Sequence, residues 1–238
     1  MVRNIEHRQH SQETSAKRTD ADIRRDVLDE LEWERRVQPS EIGVSVNEGI
    51  VTLSGTIDSY PKRWAAEEAS FRVLGVKAVV NELEVQLPRN AEHADEGIAE
   101  AALAAFAWDA DLHNAGLTVT VSHGWVALHG EVEVQFQREE AERLVRRLAG
   151  VRGVTNGLTI RRSSPAPEDV AQRIERALLR NAETDAQRIH VQVHGHRATL
   201  RGIVASWAER RAAEGSAWSA PGITEVDDQL VIAPVPSW

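Results

Sequence analysis

The sequence NEGIVTLSG at residues 47–55 has the form of the second half of a β-hairpin, and the chain writes it three times. Similar strings, SHGWVALHG and VHGHRATLRG, occupy residues 122–130 and 193–202. In each, a turn containing glycine leads into apolar residues that alternate with other residues, which is typical of a half-buried strand. The recurrence indicates a chain built from repeats and not from one large domain.

The glycines that close these strings place the rest of the repeat in register. A second glycine follows twenty residues after each of them, and the next position is Val or Ile. Glycine permits the positive φ angles that tight turns and helix ends require. The glycines expected to have this structural role are Gly49, Gly55, Gly75, Gly124, Gly130, Gly150, Gly202 and Gly222. The repeat therefore extends through three whole units.

Each unit predicts the order helix, strand, strand, helix, strand. In the first unit, Ile23, Val27 and Leu31 recur every four residues as on the buried face of a helix, and residues 42–46 alternate as in a strand. The turn at residues 47–49 favours a three-residue hairpin loop. We predict an α+β fold of three tandem α-β-β-α-β units, each a three-stranded mixed sheet with two helices on one face.

Two short polar stretches that contain proline, residues 86–95 and 161–167, separate the units. Links of this length keep neighbours close, so we expect the units to contact one another. The expected organisation is a disordered polar tail at 1–19, units at 20–88, 94–162 and 167–233, and a C-terminal tail at 234–238.

The composition excludes several classes of function. The chain has 238 residues, no cysteine and a net charge of −9, and each unit carries more acidic than basic residues. Disulfides and thiolate chemistry are excluded, and nucleic acid is not expected as a partner. The polar N-terminal residues lack the apolar segment of a signal peptide, so we expect a cytoplasmic protein. No cofactor-binding motif is found, and we expect no cofactor.

The pattern of GIVTLSG followed by GVKAVVNELEV, repeated as GWVALHG with GVRGVTNGLTI and HRATLRG with GITEVDDQLVI, resembles the BON domain family. The resemblance covers nearly the whole chain. It implies a binding or attachment module, often linked to stress and suspected of contacting phospholipid or the cell envelope. It brings no catalytic residues, so we do not expect an enzyme.

Three histidines in the third unit are candidate metal ligands. His190 and His194 alternate with core valines and are expected on the sheet face without helices, and His196 follows in the turn. Three imidazoles this close could hold zinc or nickel, or respond to pH near 6.5. The alternative is that they are ordinary surface residues of a strand.

Aromatic residues form a second candidate site. Amphipathic rings favour the edge of a membrane or of a protein partner, and they also fill joints between units. Both interpretations stay open for Tyr60, Trp64, Trp125, Phe136 and Trp207. Trp33 and Trp108 share one aligned position at the end of the first helix, where we expect packing. Glu67, Glu142 and Glu214 form an acidic column that fits a helix surface.

The functional hypothesis is a non-enzymatic tandem binding or scaffold protein of the bacterial cytoplasm, related to stress or to the envelope. Three similar surfaces on one chain gain from high effective concentration when they meet one partner. The alternatives are a peripheral phospholipid-binding protein and an ion or metal sensor that uses the third unit's histidines. The candidate partners are a protein or a membrane surface, with a small ion and self-association as further possibilities.

Overall fold

The computed structural model describes residues 18–88, 93–161, 169–181, 184 and 186–233. Apart from its last two residues, the tail expected at 1–19 lies outside the described residues, and so does the tail at 234–238.

The first unit contains two helices and three strands. They are α1 (Asp20–Trp33), β1 (Ile42–Asn47), β2 (Ile50–Ile57), α2 (Tyr60–Arg72) and β3 (Ala78–Val85), with a 3₁₀ turn at Pro39–Glu41. Thr19 and Asp22 form a capping box that starts α1, because each side chain bonds the other's backbone amide. The predicted order of elements is therefore present.

The second and third units repeat this order. The second contains α3 (Asp95–Trp108), β4 (Thr118–Ser122), β5 (Trp125–His129), β6 (Glu131–Val132), α4 (Gln135–Arg146), β7 (Gly153–Asn156) and β8 (Thr159–Ile160). The third contains α5 (Val170–Arg180), β9 (Ile189–His194), β10 (Arg197–Val204), α6 (Trp207–Trp218) and β11 (Glu225–Ile232), with a 3₁₀ turn at Ala186–Arg188.

The three-stranded sheet of each unit has mixed topology. In the first unit β2 lies at the centre, antiparallel to β1 and parallel to β3. The third unit pairs β9, β10 and β11 in the same way. In the second unit the pairing is interrupted, so β4, β5 and β7 form one sheet, and β6 pairs with β8. The predicted α+β fold with three tandem units is confirmed.

Every unit has its own hydrophobic core between the sheet and its two helices. The central strands contribute Leu53, Leu128 and Leu200, which are all fully buried. Alanines line the buried face of each second helix and let the helix approach the sheet closely. A small core in each unit leaves its stability dependent on contacts with its neighbours.

The hairpin turns have two residues, and the predicted three-residue loop is wrong. Asn47 pairs with Ile50, so it belongs to the strand, and only Glu48 and Gly49 form the loop. Both have positive φ, 52° and 80°, as a type I′ turn requires. In the third unit the positive φ falls on Gly195, the first loop residue. The two-residue loop matches the twist of the flanking strands, which explains the shorter turn.

A carboxylate at the start of the first helix holds each of the first two turns. Asp20 accepts hydrogen bonds from both amides of the first turn, at 2.7 and 2.9 Å. Asp95 accepts two equivalent bonds in the second unit, both at 2.8 Å. These amides hold the pKa of Asp95 below its usual value. Pro167 occupies the aligned position of the third repeat and has no carboxylate.

Candidate functional site

The first and second units meet through aromatic residues of α2. The indole ring of Trp64 lies under the guanidinium of Arg146 on α4, 4.1 Å from the ring centroid. Tyr60 packs against the hydrophobic core of the second unit. Its burial raises the pKa of the phenol, and a bond to the backbone of Val154 opposes that shift. The start of α2 is therefore fixed against the second unit.

The third and first units meet in the same manner. The rings of Trp207, at the start of α6, and Phe71, near the end of α2, lie 4.4 Å apart and tilted by 55°. Arg211 forms an ion pair with Glu68 at 2.6 Å. Trp207 also packs against the core of the first unit. This contact joins the two ends of the repeat array.

A cleft of about 680 Å³ lies where the second and third units face each other. Arg138 contributes from the start of α4 and Trp218 from the end of α6. The cleft is lined by Glu131, Arg138, Leu158, Thr159, Ile160, Arg161, Trp218, Thr224, Glu225 and Val226. Two joints are thus closed by aromatic contacts, and the third holds an open space.

The three joints use the same aligned positions. Trp64 and Arg211 occupy one column of the repeat, and each reaches from the start of its second helix to another unit. Phe71, Arg146 and Trp218 occupy a second column, near the end of that helix, and each lies at a joint. The start of the second helix in each unit faces the end of the second helix in the next unit. The units follow one another in the order first, second, third, first. Contacts of this head-to-tail kind close into a ring.

Three of the predicted aromatic residues lie at the joints between units. Tyr60, Trp64 and Trp207 all contact a neighbouring unit, as the joint interpretation expects. A lipid or partner role for them stays a prediction, and it would require a joint to open. The sequence left these two interpretations open because it does not fix how the units are oriented.

The other two aromatic candidates lie outside these contacts. Trp125 is 47% exposed on its own sheet, where its indole N–H donates to Thr155 at 2.8 Å. Its ring covers Gly153 on the neighbouring strand, where an added Cβ would lie 2.5 Å from ring atoms. Phe136 is 57% exposed at the start of α4. Both side chains remain available to a partner.

Trp33 and Trp108 do not pack, contrary to the sequence prediction. Their exposed fractions are 83% and 91%, the highest among the large apolar side chains described. Each ends its helix two residues after a buried core residue, Leu31 or Phe106. Two residues turn a helix by about 200°, so both indoles leave on the face opposite the core. The spacing was the signal that the sequence argument missed.

The structure does not bring the three candidate histidines into a three-ligand group, and a metal role for them stays a prediction. No group of three or more His, Asp or Glu side chains suited to a metal comes together within the described residues, which include all three imidazoles. His190 and His194 are exposed on β9. The Nδ1–H of His196 donates instead to the carbonyl of Gly222 at 2.8 Å. This bond ties the hairpin turn to the loop before β11.

The acidic column connects the second helix to the last strand and is not simply a helix surface. Glu67 accepts a hydrogen bond from the side chain of Asn81 at 2.9 Å, and Glu142 accepts from Asn156 at 3.1 Å. The same asparagines reach the helix backbone and the amide two residues on. This network is repeated because it is structural, although only its spacing is visible in the sequence.

In the third unit an acidic pair replaces this network. Asp228 stands where the other units have asparagine, and it faces Glu214. Burial, followed by the hydrogen bond to Asp228 and the charge of Asp228, raises the pKa of Glu214 to about 7. Arg210 forms an ion pair with Asp228 and lies over the Trp207 ring at 4.8 Å. The folded third unit therefore holds a proton at Glu214 more tightly than an ordinary glutamate would.

Comparison with known proteins gives one family and few relatives. A curated protein of Anaplasma centrale, described as "Uncharacterized protein in gshII 5'region", is 29% identical over 127 residues, which is 52% of this chain and 84% of that protein. Two solved structures of CdsD, a structural protein of the type III secretion system of Chlamydia trachomatis, are 15% and 14% identical. They cover 89% and 91% of this chain and 92% and 100% of their own, with TM-scores of 0.26 and 0.25.

None of the helices in the described part of the chain is both long and apolar enough to cross a membrane. The family model for the BON domain matches residues 19–86, 94–162 and 168–234. These three matches together fill most of the chain and coincide with the three units whose cores and joints are described above. The chain therefore belongs to the BON domain family and carries three tandem BON domains.

Proposed function

We propose that this chain is a non-enzymatic binding protein in which three BON domains act as one body and hold a partner protein at Trp33 and Trp108. The observation that carries the proposal is the contrast between the two sets of tryptophans. Trp64 and Trp207 are used in the joints, whereas Trp33 and Trp108 project into solvent from equivalent positions. Large exposed aromatic side chains are enriched where proteins bind one another.

The equivalence of the two positions supports a shared partner. Domains held by closed joints keep a fixed separation, so two contacts to one partner reinforce each other through effective concentration. The third domain has Arg180 at the aligned position and an exposed Leu179 beside it. Its surface therefore differs in character, and the proposed contact uses the first two domains.

A binding role agrees with how the repeated polar residues are used. Glu67, Glu142 and their asparagine partners spend their hydrogen bonds on the fold itself. Among the described residues, no cluster of titratable side chains resembles a metal centre. The polar residues at aligned positions of the repeats support the fold, and none of them indicates a chemical reaction.

Site-specific photocrosslinking in the native host tests the partner contact. A benzophenone amino acid replaces Trp33 in one variant and Trp108 in another, and adducts are identified by mass spectrometry. We expect both positions to capture the same protein. An adduct with a second copy of this chain would identify the partner as the chain itself. If neither position yields an intermolecular adduct, the proposal is wrong.

The matched control places the same benzophenone at Trp64. This position lies in the joint beside Arg146 and should crosslink only within the chain. An intermolecular adduct from position 64 that equals those from positions 33 and 108 would show that capture is unspecific.

A phospholipid surface is the second candidate, because exposed indoles at two helix ends could also enter a membrane interface. The net charge of −9 predicts that such binding would not increase with anionic lipid. Flotation with zwitterionic and with anionic vesicles separates the two functions. Flotation that disappears in the W33A/W108A double variant would favour the membrane. Sedimentation under all conditions would exclude it.

The ion-sensor alternative has no geometric support among the described residues. The stress-related role and the cytoplasmic location stay predictions from the sequence.

A further inference from the structure

We propose that the cleft between the second and third domains binds a small organic monoanion, a carboxylate carried on an apolar body, and that Arg138 receives the carboxylate. The residues that line the cleft do not include Trp33 or Trp108. A test of this binding site is therefore independent of a test of the partner contact. Its evidence comes from one unpartnered arginine, the charge balance of the cleft and the apolar residues around it.

Arg138 differs from its two aligned counterparts. In the first domain Arg63 donates to the carbonyl of Asn81 at 2.9 Å, and in the third Arg210 pairs with Asp228. Arg138 has no acceptor for its guanidinium among the described residues, and its Nε is buried. A buried donor without a partner costs free energy, and an anion that accepts from it recovers that cost.

The charges around the cleft favour a single negative charge on the ligand. Glu131 pairs with Arg161 at 3.4 Å, and Glu225 pairs with Arg197 at 2.6 Å. These two pairs cancel, which leaves the charge of Arg138 uncompensated. A second negative charge on the ligand would meet no further arginine without an ion-pair partner among the described lining residues, so a monocarboxylate fits better than a phosphate.

The body of the ligand is predicted to be apolar. Leu158, Ile160 and Val226 form apolar parts of the lining, and the half-buried indole of Trp218 contributes a flat surface. The volume of about 680 Å³ lies within the range of small-molecule sites, which are mostly apolar with a few placed polar groups. An arginine and an aromatic ring in one lining match a molecule with a charged head and an apolar tail.

Octanoate and octanol form a matched pair of probes, because they share an alkyl chain and differ in charge. Binding to the full chain is followed by NMR of the side-chain N–H groups. We expect octanoate to shift the resonances of Arg138 and Trp218 together. Octanol should bind at least about tenfold more weakly, since it lacks the charge-assisted bond. The proposal is overturned if octanoate shifts neither resonance, or if octanol binds equally well.

The variant R138Q removes the guanidinium that is proposed to bind the carboxylate, and R147Q is its control. Arg147 is exposed near the end of α4 and does not line the cleft. We expect R138Q to weaken octanoate binding about tenfold or more, and R147Q to bind as the unmodified chain does. Equal binding by R138Q and the unmodified chain would contradict the assignment.

The melting temperature separates a binding role for Arg138 from a structural one. An unpartnered guanidinium adds no internal bond, so R138Q without ligand should melt no lower than the unmodified chain. Octanoate should raise the melting temperature of the unmodified chain and leave that of R138Q unchanged. If R138Q instead melts much lower, Arg138 is structural and the proposal fails. R138K keeps the charge but lacks the planar pair of donors, so we expect it to melt as the unmodified chain does and to bind octanoate more weakly.

Discussion

A backbone carbonyl excludes any side chain at Gly202. Its φ is 144°, and a Cβ added there would collide with the carbonyl oxygen of Arg188. Gly55 meets the carbonyl of Glu41 in the same way. All eight glycines expected to have a structural role have positive φ. The glycine pattern was visible in the sequence because a positive φ restricts the residue type at that position itself, whereas the neighbouring carbonyls were not visible.

The substitution G202A should destabilise the third domain by more than about 2 kcal/mol, because alanine strains the backbone and meets fixed main-chain atoms. Equilibrium unfolding in urea measures the change. The control is G97A in α3, where an added Cβ has nothing within 4 Å. Alanine in a helix interior should stabilise by up to about 1 kcal/mol. Equal effects of both substitutions would contradict the assigned roles.

At the scale of elements, the second helix and last strand of each domain are joined by a polar network. The helices, strands and their order followed from apolar spacing and glycine positions, because these patterns reflect burial on one face. The polar network could not be predicted from these patterns. Glu67 looks like an ordinary surface acid in a helix, and only the partner strand shows that it accepts from Asn81.

The third domain should lose stability as pH rises from 5 to 8. The pKa of Glu214 is about 7 in the folded chain against an ordinary value of 4.5, so the folded state holds the proton more tightly than the unfolded state. The stability is complete below pH 4.5 and is lost as pH rises through 7. Urea unfolding at a series of pH values measures this slope.

E214Q should flatten the slope, since glutamine does not ionise. D228N, which restores the asparagine of the other domains, should reduce the slope without removing it, because burial is the largest cause of the shift. E175Q, on the exposed face of α5, is the control and should leave the slope unchanged. A steep slope that persists in E214Q would assign the titration to another group.

At the scale of the whole molecule, the joints could not be derived from the sequence. Aligned positions carry Trp64, Glu139 and Arg211, so the residues that face neighbours differ between domains although the geometry recurs. The sequence predicted contact between domains from the short linkers, but orientation decides which side chains meet. The sequence also does not show that Arg138 lacks an acceptor among the described residues, because its aligned counterparts Arg63 and Arg210 have partners.

The substitution W64A should uncouple the first two domains. It removes the ring beneath Arg146 and leaves the half-buried guanidinium without that contact. We expect a loss of about 1–3 kcal/mol and a broader melting transition in calorimetry, as domains begin to unfold separately. W33A is the control, because that indole is 83% exposed. Its effect should remain within about 0.5 kcal/mol. Identical transitions for both variants would refute a stabilising joint.

The head-to-tail joints also bear on ligand stoichiometry. Three identical domains joined in this way would carry three equivalent sites, each with the same affinity. Because the three domains belong to one chain, each joint can have its own residues, and the residues at the three joints do differ. One joint holds a tryptophan under an arginine, one holds two tilted rings, and one holds the cleft lined by Arg138. In the part of the chain that the structure describes, this pocket lies at one joint of the three, and it should saturate at one anion per chain.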